Sequence, residues 1–376
     1  MKSLVLLLTS AGLAVGAPVE RFYLGTGVGL PGEPGIYTGT LDTRTGKLGK
    51  LELAASLPFQ PFLVLTPDGK FLYADAGGHL ADLVAYRVET NGLLTKLNEF
   101  PSGNGSCHVS VDATGRHVFV ANYTAGDVAV FSTTTNGFLE PDLSYLQFKG
   151  SGPNLTRQNH PYLHSTFVDA SNRHLYACDL GTDNIWIFDF DATSGKLTPA
   201  NPPSAKVSPG SGPRHLAFSP NQSFAYVNGE MGMNVTTFLR NAKTGALTAK
   251  QTVSSLPPAA DTNGMTTAEI FCHASGKWLY VSNRDVAERG RDSLTAYKIG
   301  SDGQLTFLQN VSAQAKIPRC FAISPDGVSL IVAGQNSNQI ALFRIDDLTG
   351  RLTFTGETVA IGSPTCVIFA PDQKNR

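Results

Sequence analysis

Charge is scarce in this chain. Asp, Glu, Lys and Arg make up only 16% of 376 residues, and the formal net charge is −1 with no basic run. That argues against nucleic acid as the main partner, because phosphate binding needs clustered Lys and Arg. The five cysteines, Cys107, Cys178, Cys272, Cys320 and Cys366, include no C-x-x-C pair, so neither a zinc centre nor a dense disulfide framework is indicated. An odd number leaves at least one thiol unpaired within a monomer, and all five read as small buried hydrophobes inside strands. Sustained helical periodicity is missing, and so are the repeated Trp-Asp and Gly-His signatures of a WD propeller. No G-x-S-x-G elbow or metal-ligand spacing occurs, which disfavours an acyl-enzyme or a zinc hydroxide. The expectation is an active site without metal or cofactor.

Long apolar runs are equally few, and the one at the N-terminus has a specific shape. "MKSLVLLLTSAGLAVGAPVE" places Lys2 before an apolar stretch from Leu4 to Val15, then small residues at Gly16 and Ala17. This is the layout of a secretory signal peptide and is too short to span a membrane. The sequence therefore predicts a leader over residues 1–17, a mature domain over 18–376, a secreted, extracellular location, and no membrane attachment of the mature form. Six N-x-S/T sequons, at Asn104, Asn122, Asn154, Asn221, Asn234 and Asn310, agree with that compartment.

What the chain has in quantity is Gly (38) and Pro (22) among 41% hydrophobic residues, the balance of a strand-and-turn protein. A G-x-L phrase recurs at Gly46, Gly92, Gly137, Gly195, Gly245, Gly303 and Gly350, every 45–58 residues. Each unit is long enough for about four short strands with turns. First hairpins such as "FLVLTPDGKFLYA" and "HLAFSPNQSFAYVN" precede aromatic third strands such as "DLVAYRV" and "NIWIFDF". Six units are contiguous and the seventh is split, with "RFYLGT" at the N-terminus and "TCVIFAPD" at the C-terminus. Joining those ends closes a ring and removes exposed sheet edges. The expected fold is all-β: one seven-bladed β-propeller domain, closed by pairing N- and C-terminal strands in one blade.

In such a ring the first strand of each blade lines the channel and the second runs back, so strand-one starts and strand-two ends share a face. "SGPRHLAFSPNQSFAYVNGE" then puts Arg214 and His215 near Glu230 at one channel mouth. His108, His164, Glu269, Arg284 and Arg319 join them from neighbouring blades, and the long connection containing His160 lies over the same face. Extended loops above converging polar groups mark the expected ligand pocket.

The stretches "HPYLHSTFVD", "GSGPRHLAFSP", "YVNGE", "AEIFCHASGKWLYVSNR", "PRCFAISPDG" and "VAGQNSNQIALF" resemble the propeller lactonase family, which includes bacterial 6-phosphogluconolactonases and the fungal 3-carboxy-cis,cis-muconate lactonizing enzyme. The resemblance implies catalysis by His164, Arg214, Glu230 and Arg284 without a metal. From their place at the rim or on the loop above it, His108, His160, His215, Glu269 and Arg319 are expected to contact substrate. Two departures stand out: "NHPYLHS" replaces a more compact "PHAHS"-like form, so that His160 competes for the role of His164, and a leader precedes the domain.

From these residue types, Arg214 and Arg284 would clamp a carboxylate or polarise a lactone carbonyl. Glu230 and His164 would move the proton, in ring opening or ring closure alike. The expected partner is a small lactone or carboxylate substrate. The competing expectation is a non-catalytic secreted propeller that binds a ligand or serves as a surface antigen, because a fold alone implies no activity.

Overall fold

Burial along the strands decides where each one sits. The second strand of a blade is buried along most or all of its length, and at every residue in His117–Asn122 and His174–Asp179. Fourth strands such as Leu247–Ser254 are exposed at most positions. A strand covered on both faces is apolar along its middle and hydrogen-bonds any polar residue at its ends, while one at the rim can be polar. The computed structural model describes residues 19–28, 32–58, 62–76, 81–141 and 144–371; the leader expected over 1–17 lies outside them.

The described strands form seven antiparallel sheets arranged as the blades of a propeller. One blade runs outward as Pro213–Phe218, Phe224–Gly229, Asn234–Arg240 and Leu247–Ser254. The closing blade takes its innermost strand, Pro364–Phe369, from the C-terminus and pairs it with Val19–Thr26 in the register Phe22↔Phe369, Tyr23↔Ile368 and Leu24↔Val367. Each innermost strand packs against that of the next blade all round the ring. The predicted closure and strand order are what the structure has.

The G-x-L repeat has a packing explanation. All seven glycines have positive φ, from +65° to +90°, and in five blades the Leu begins the outermost strand. At Gly350 a Cβ would come within 2.3 Å of the Trp278 ring of the preceding blade, so both backbone and space demand glycine. Two residues beyond that ring, the Tyr280 hydroxyl donates to the Gly350 carbonyl at 2.9 Å. Tyr176 repeats this with Gly245, Tyr73 with Gly137 and Tyr23 with Gly92. The repeat is therefore a latch from one blade to the next.

The five thiols are all free, with Cys178, Cys320 and Cys366 buried, as a packing role requires. The sequons fare less uniformly. Asn122 is fully buried and donates to the Ser102 carbonyl at 2.7 Å and to Asp127 at 2.6 Å, so a glycan there is incompatible with the fold. The Asn310 amide is likewise engaged, by Ser293 and Thr295.

The latch has an internal control, because the buried Tyr226 hydroxyl has no hydrogen-bond partner. Tyr280→Phe should lower stability by about 1 kcal/mol by stranding the Gly350 carbonyl, whereas Tyr226→Phe should be neutral or slightly stabilising. Denaturant midpoints of the two variants check this; equal losses would show that the hydroxyl bonds do not carry the latch.

Candidate active site

The innermost strands are not regular where they open. Pairing slips by one residue at Cys107, His164, Arg214–His215, Ala268–Glu269, Arg319 and Thr365. A β-bulge puts two residues opposite one and re-aims a side chain. On the innermost strands each of these bulges falls at the same channel mouth, and several rim residues named from the sequence stand on one.

The geometry centres on Glu230, which follows the strand Phe224–Gly229 and is 5% exposed. Its Oε2 receives Arg214 Nε at 3.1 Å and Arg284 Nη2 at 3.2 Å, while Oε1 receives Arg157 Nη2 at 2.7 Å. Burial pushes the carboxyl up, but Arg284, Arg214 and Arg157 together overcome it and hold the group down at about 2. His164 Nε2 lies 3.9 Å from the same Oε2, and its Nδ1 is buried without a partner. Burial, then the charge of Arg214, pushes this imidazole well below its ordinary value, so it is neutral near pH 7. Burial likewise brings the Arg284 guanidinium down to about 9.

A cavity of about 360 Å³ opens over this cluster, lined by Cys107, Tyr123, Arg157, His164, Glu230, Arg284 and Arg319 among others. Four guanidinium groups surround one ionised carboxylate here. Such a set attracts anions and repels cations. Among the described residues no cluster of three or more His, Cys, Asp or Glu side chains is placed to hold a metal ion.

The remaining rim residues divide differently from the sequence expectation. Arg214 is buried beneath Glu230 and does not line the cavity; its Nη1 faces His215 Nε2 at 3.2 Å and donates to the Ala268 carbonyl. Since a guanidinium can only donate, His215 accepts at Nε2 and carries its proton on Nδ1, which donates to Glu269 Oε1 at 2.7 Å. Glu269 and His215 thus stand behind Arg214, outside the cavity over Glu230, and burial pushes the Glu269 carboxyl up to about 7. His108 sits deeper in the channel, its ring 5.1 Å from that of His215. His160 turns aside: Nδ1 bonds the Pro161 carbonyl at 2.7 Å and the ring lies 4.0 Å from that of Tyr162. It does not compete with His164. Of the five residues expected to contact substrate, only Arg319 lines the cavity.

Arg157 is not among the residues that the sequence singles out, although its loop is. It comes from the connection between Ser144–Gln147 and Leu163–Val168, and also reaches the Tyr123 hydroxyl at 3.3 Å. No repeat position identifies it, because the segment occurs once; the available signal was a single Arg in the longest loop above the mouth.

Comparison with known proteins matches this architecture. The family model "Lactonase, 7-bladed beta-propeller" matches residues 21–369. The 6-phosphogluconolactonase of Bacillus subtilis (strain 168) is 33% identical, covering 90% of this chain and 95% of the relative. A 6-phosphogluconolactonase of Formosa agariphila is 30% identical over 89% of this chain and 95% of its own. Among solved structures, the Pseudomonas aeruginosa periplasmic gluconolactonase superposes with a TM-score of 0.85 at 26% identity, over 94% of this chain and 99% of that one. Repeat, split blade, bulged rim and sequence agree: this chain belongs to the seven-bladed β-propeller lactonase family.

Proposed function

We propose that this protein hydrolyses a lactone that carries an anionic group, with His164 as general base and the surrounding guanidinium groups as the electrostatic framework. The observation that carries the reading is the excess of Arg over carboxylate around one neutral imidazole. Relatives named 6-phosphogluconolactonase support both the reaction and a charged substrate. The alternative of a non-catalytic binding propeller is not favoured, since these groups are assembled in bonding distance rather than scattered.

Arg319 and Arg284 face the cavity and would bind the anionic group and the lactone carbonyl. Water attacks the carbonyl carbon while His164 takes its proton; the oxyanion that forms is stabilised by Arg284. Collapse breaks the ring C–O bond, and the proton returns from His164 to the leaving oxygen, giving a hydroxy acid. A carboxyl held at about 2 is a poor base, so we assign Glu230 the task of aiming Arg284 and stabilising protonated His164. Arg214, buried beneath it, is a positioning residue.

His164→Ala and Glu230→Gln should each lower turnover of 6-phosphogluconolactone by roughly 10²-fold or more. Arg319→Ala should raise KM for this substrate while leaving neutral glucono-δ-lactone little changed. Steady-state kinetics with both lactones read the outcome, and full activity in the His164 variant would end the assignment.

The pH profile follows from the same groups. A lowered imidazole pKa keeps the base form populated as pH falls, so kcat/KM should hold level through pH 6.5 and decline only well below it. Glu230 contributes no limb in that range. An acid limb at or above pH 7, after subtraction of spontaneous lactone hydrolysis, would contradict a neutral His164.

We also propose export, on the layout of residues 1–17; the periplasmic gluconolactonase is a related fold that works outside the cytoplasm. Expression of the full chain in a secreting host should release protein that begins at or near residue 18. N-terminal sequencing of the medium fraction decides it, and an intact Met1 on cell-retained protein counts against export.

A further inference from the structure

The channel has a second mouth that the lactonase reading leaves unused. A cavity of about 440 Å³ opens at the far ends of the innermost strands, and no residue lines both it and the cavity over Glu230. Its walls are apolar, with Val111, Phe167, Phe218, Phe271 and Ile368 among them. Polar groups gather at its inner end, where His108, His215 and Glu269 stand beside the Cys320 thiol. Rings of Phe62, His108 and His215 lie 4.4 and 5.1 Å apart in sequence across the channel and separate the two cavities. A concave apolar chamber with a few converging polar groups is the usual form of a small-molecule site.

The chemistry of that inner end selects among ligands. His108 Nδ1 faces the Thr166 amide at 3.4 Å as its acceptor, which leaves the proton on Nε2 and makes the ring a donor. Glu269 supplies acceptor oxygens alongside it. One hydroxyl, able both to accept and to donate, suits this pair. Charge suits it poorly: His108 and His215 are neutral and cannot pair a buried anion, and a cation meets Arg214 behind the His215 contact. Burying either charge unpaired in an apolar chamber is costly.

We propose that this second mouth binds a neutral, largely apolar molecule bearing a hydroxyl group, a simple alkylphenol by class, of on the order of ten non-hydrogen atoms. The aromatic members of the wall favour a ring over a flexible chain. This site stands apart from the lactonase reading, because occupancy is measured without turnover and failure of either leaves the other standing.

Isothermal titration of the full chain with 4-ethylphenol should give saturable binding at one site per chain. 4-Ethylbenzoate, of similar shape but charged, should bind roughly tenfold more weakly or worse, and 4-ethylanisole, which lacks the donor, should also lose affinity. Val111→Trp and Ala217→Leu narrow the chamber from two sides and should abolish binding while lactone turnover persists. Methyl-resolved NMR of the unaltered protein should place the phenol-induced shifts at Val111, Ile270 and Ile368. Absence of saturable binding overturns the proposal. So do equal affinity for the benzoate, undiminished binding in both narrowed variants, or methyl shifts elsewhere.

Discussion

A carboxylate taken out of water must be paired, and at Glu230 that requirement organises one whole face of the protein. Removing such a charge from solvent costs several kcal/mol unless opposite charges and hydrogen bonds replace the water. Glu230 meets it with three guanidinium groups from three different segments: Arg157 on a long loop, Arg214 on an innermost strand and Arg284 at the end of a second strand. Each partner is then fixed by something further back. Arg214 is held by His215 and the Ala268 carbonyl, and Arg284 also reaches the Thr267 carbonyl. The loop over the mouth, the innermost strands and the neighbouring blade are thereby tied to one point.

The bulges make this convergence possible. On a regular strand, successive side chains point to opposite faces, so Arg214 and His215 could not both serve the channel. The extra residue between Pro213 and Leu216 breaks that alternation, and the two side chains end up bonded to each other at 3.2 Å. Below them, apolar alternation resumes and the strands pack in the ordinary way, with Leu216 buried. On the innermost strands the irregularity falls on the turn that bears chemistry; the outer strands carry bulges of their own, as between Thr237 and Phe238 or Ala341 and Phe343, away from the channel.

This division also explains what could be read from the sequence. Repeat spacing and the split seventh unit gave the architecture, because latches such as Tyr280 to Gly350 repeat in several blades and leave the same letters each time. The grouping of His164, Arg214, Glu230 and Arg284 was legible for a related reason, since strand-one starts and strand-two ends share a face in every blade. Depth was not legible. Arg214 and His215 are adjacent in sequence and both belong to the rim, yet bulge geometry places them, with Glu269, behind the cavity rather than in it. His160 and Arg157 are three residues apart on one loop, and only the folded path of that loop turns the imidazole onto Tyr162 and the guanidinium onto Glu230.

The electrostatics of the mouth give the framework its direction. Four guanidinium groups beside a single ionised carboxylate leave the cavity positive, and burial, reinforced by that field, is what depresses His164. An imidazole so depressed is available as a base but weak as one. On the proposed lactonase reading, an anionic substrate would change both terms: it would be drawn in by the field, and once bound it would offset part of the charge that opposes protonation of the ring. Proton transfer to His164 is then easiest when the charged group is in place, and a lactone lacking that group meets the weaker base. Selectivity and catalysis would thus share one cause, the uncompensated positive charge that surrounds Glu230.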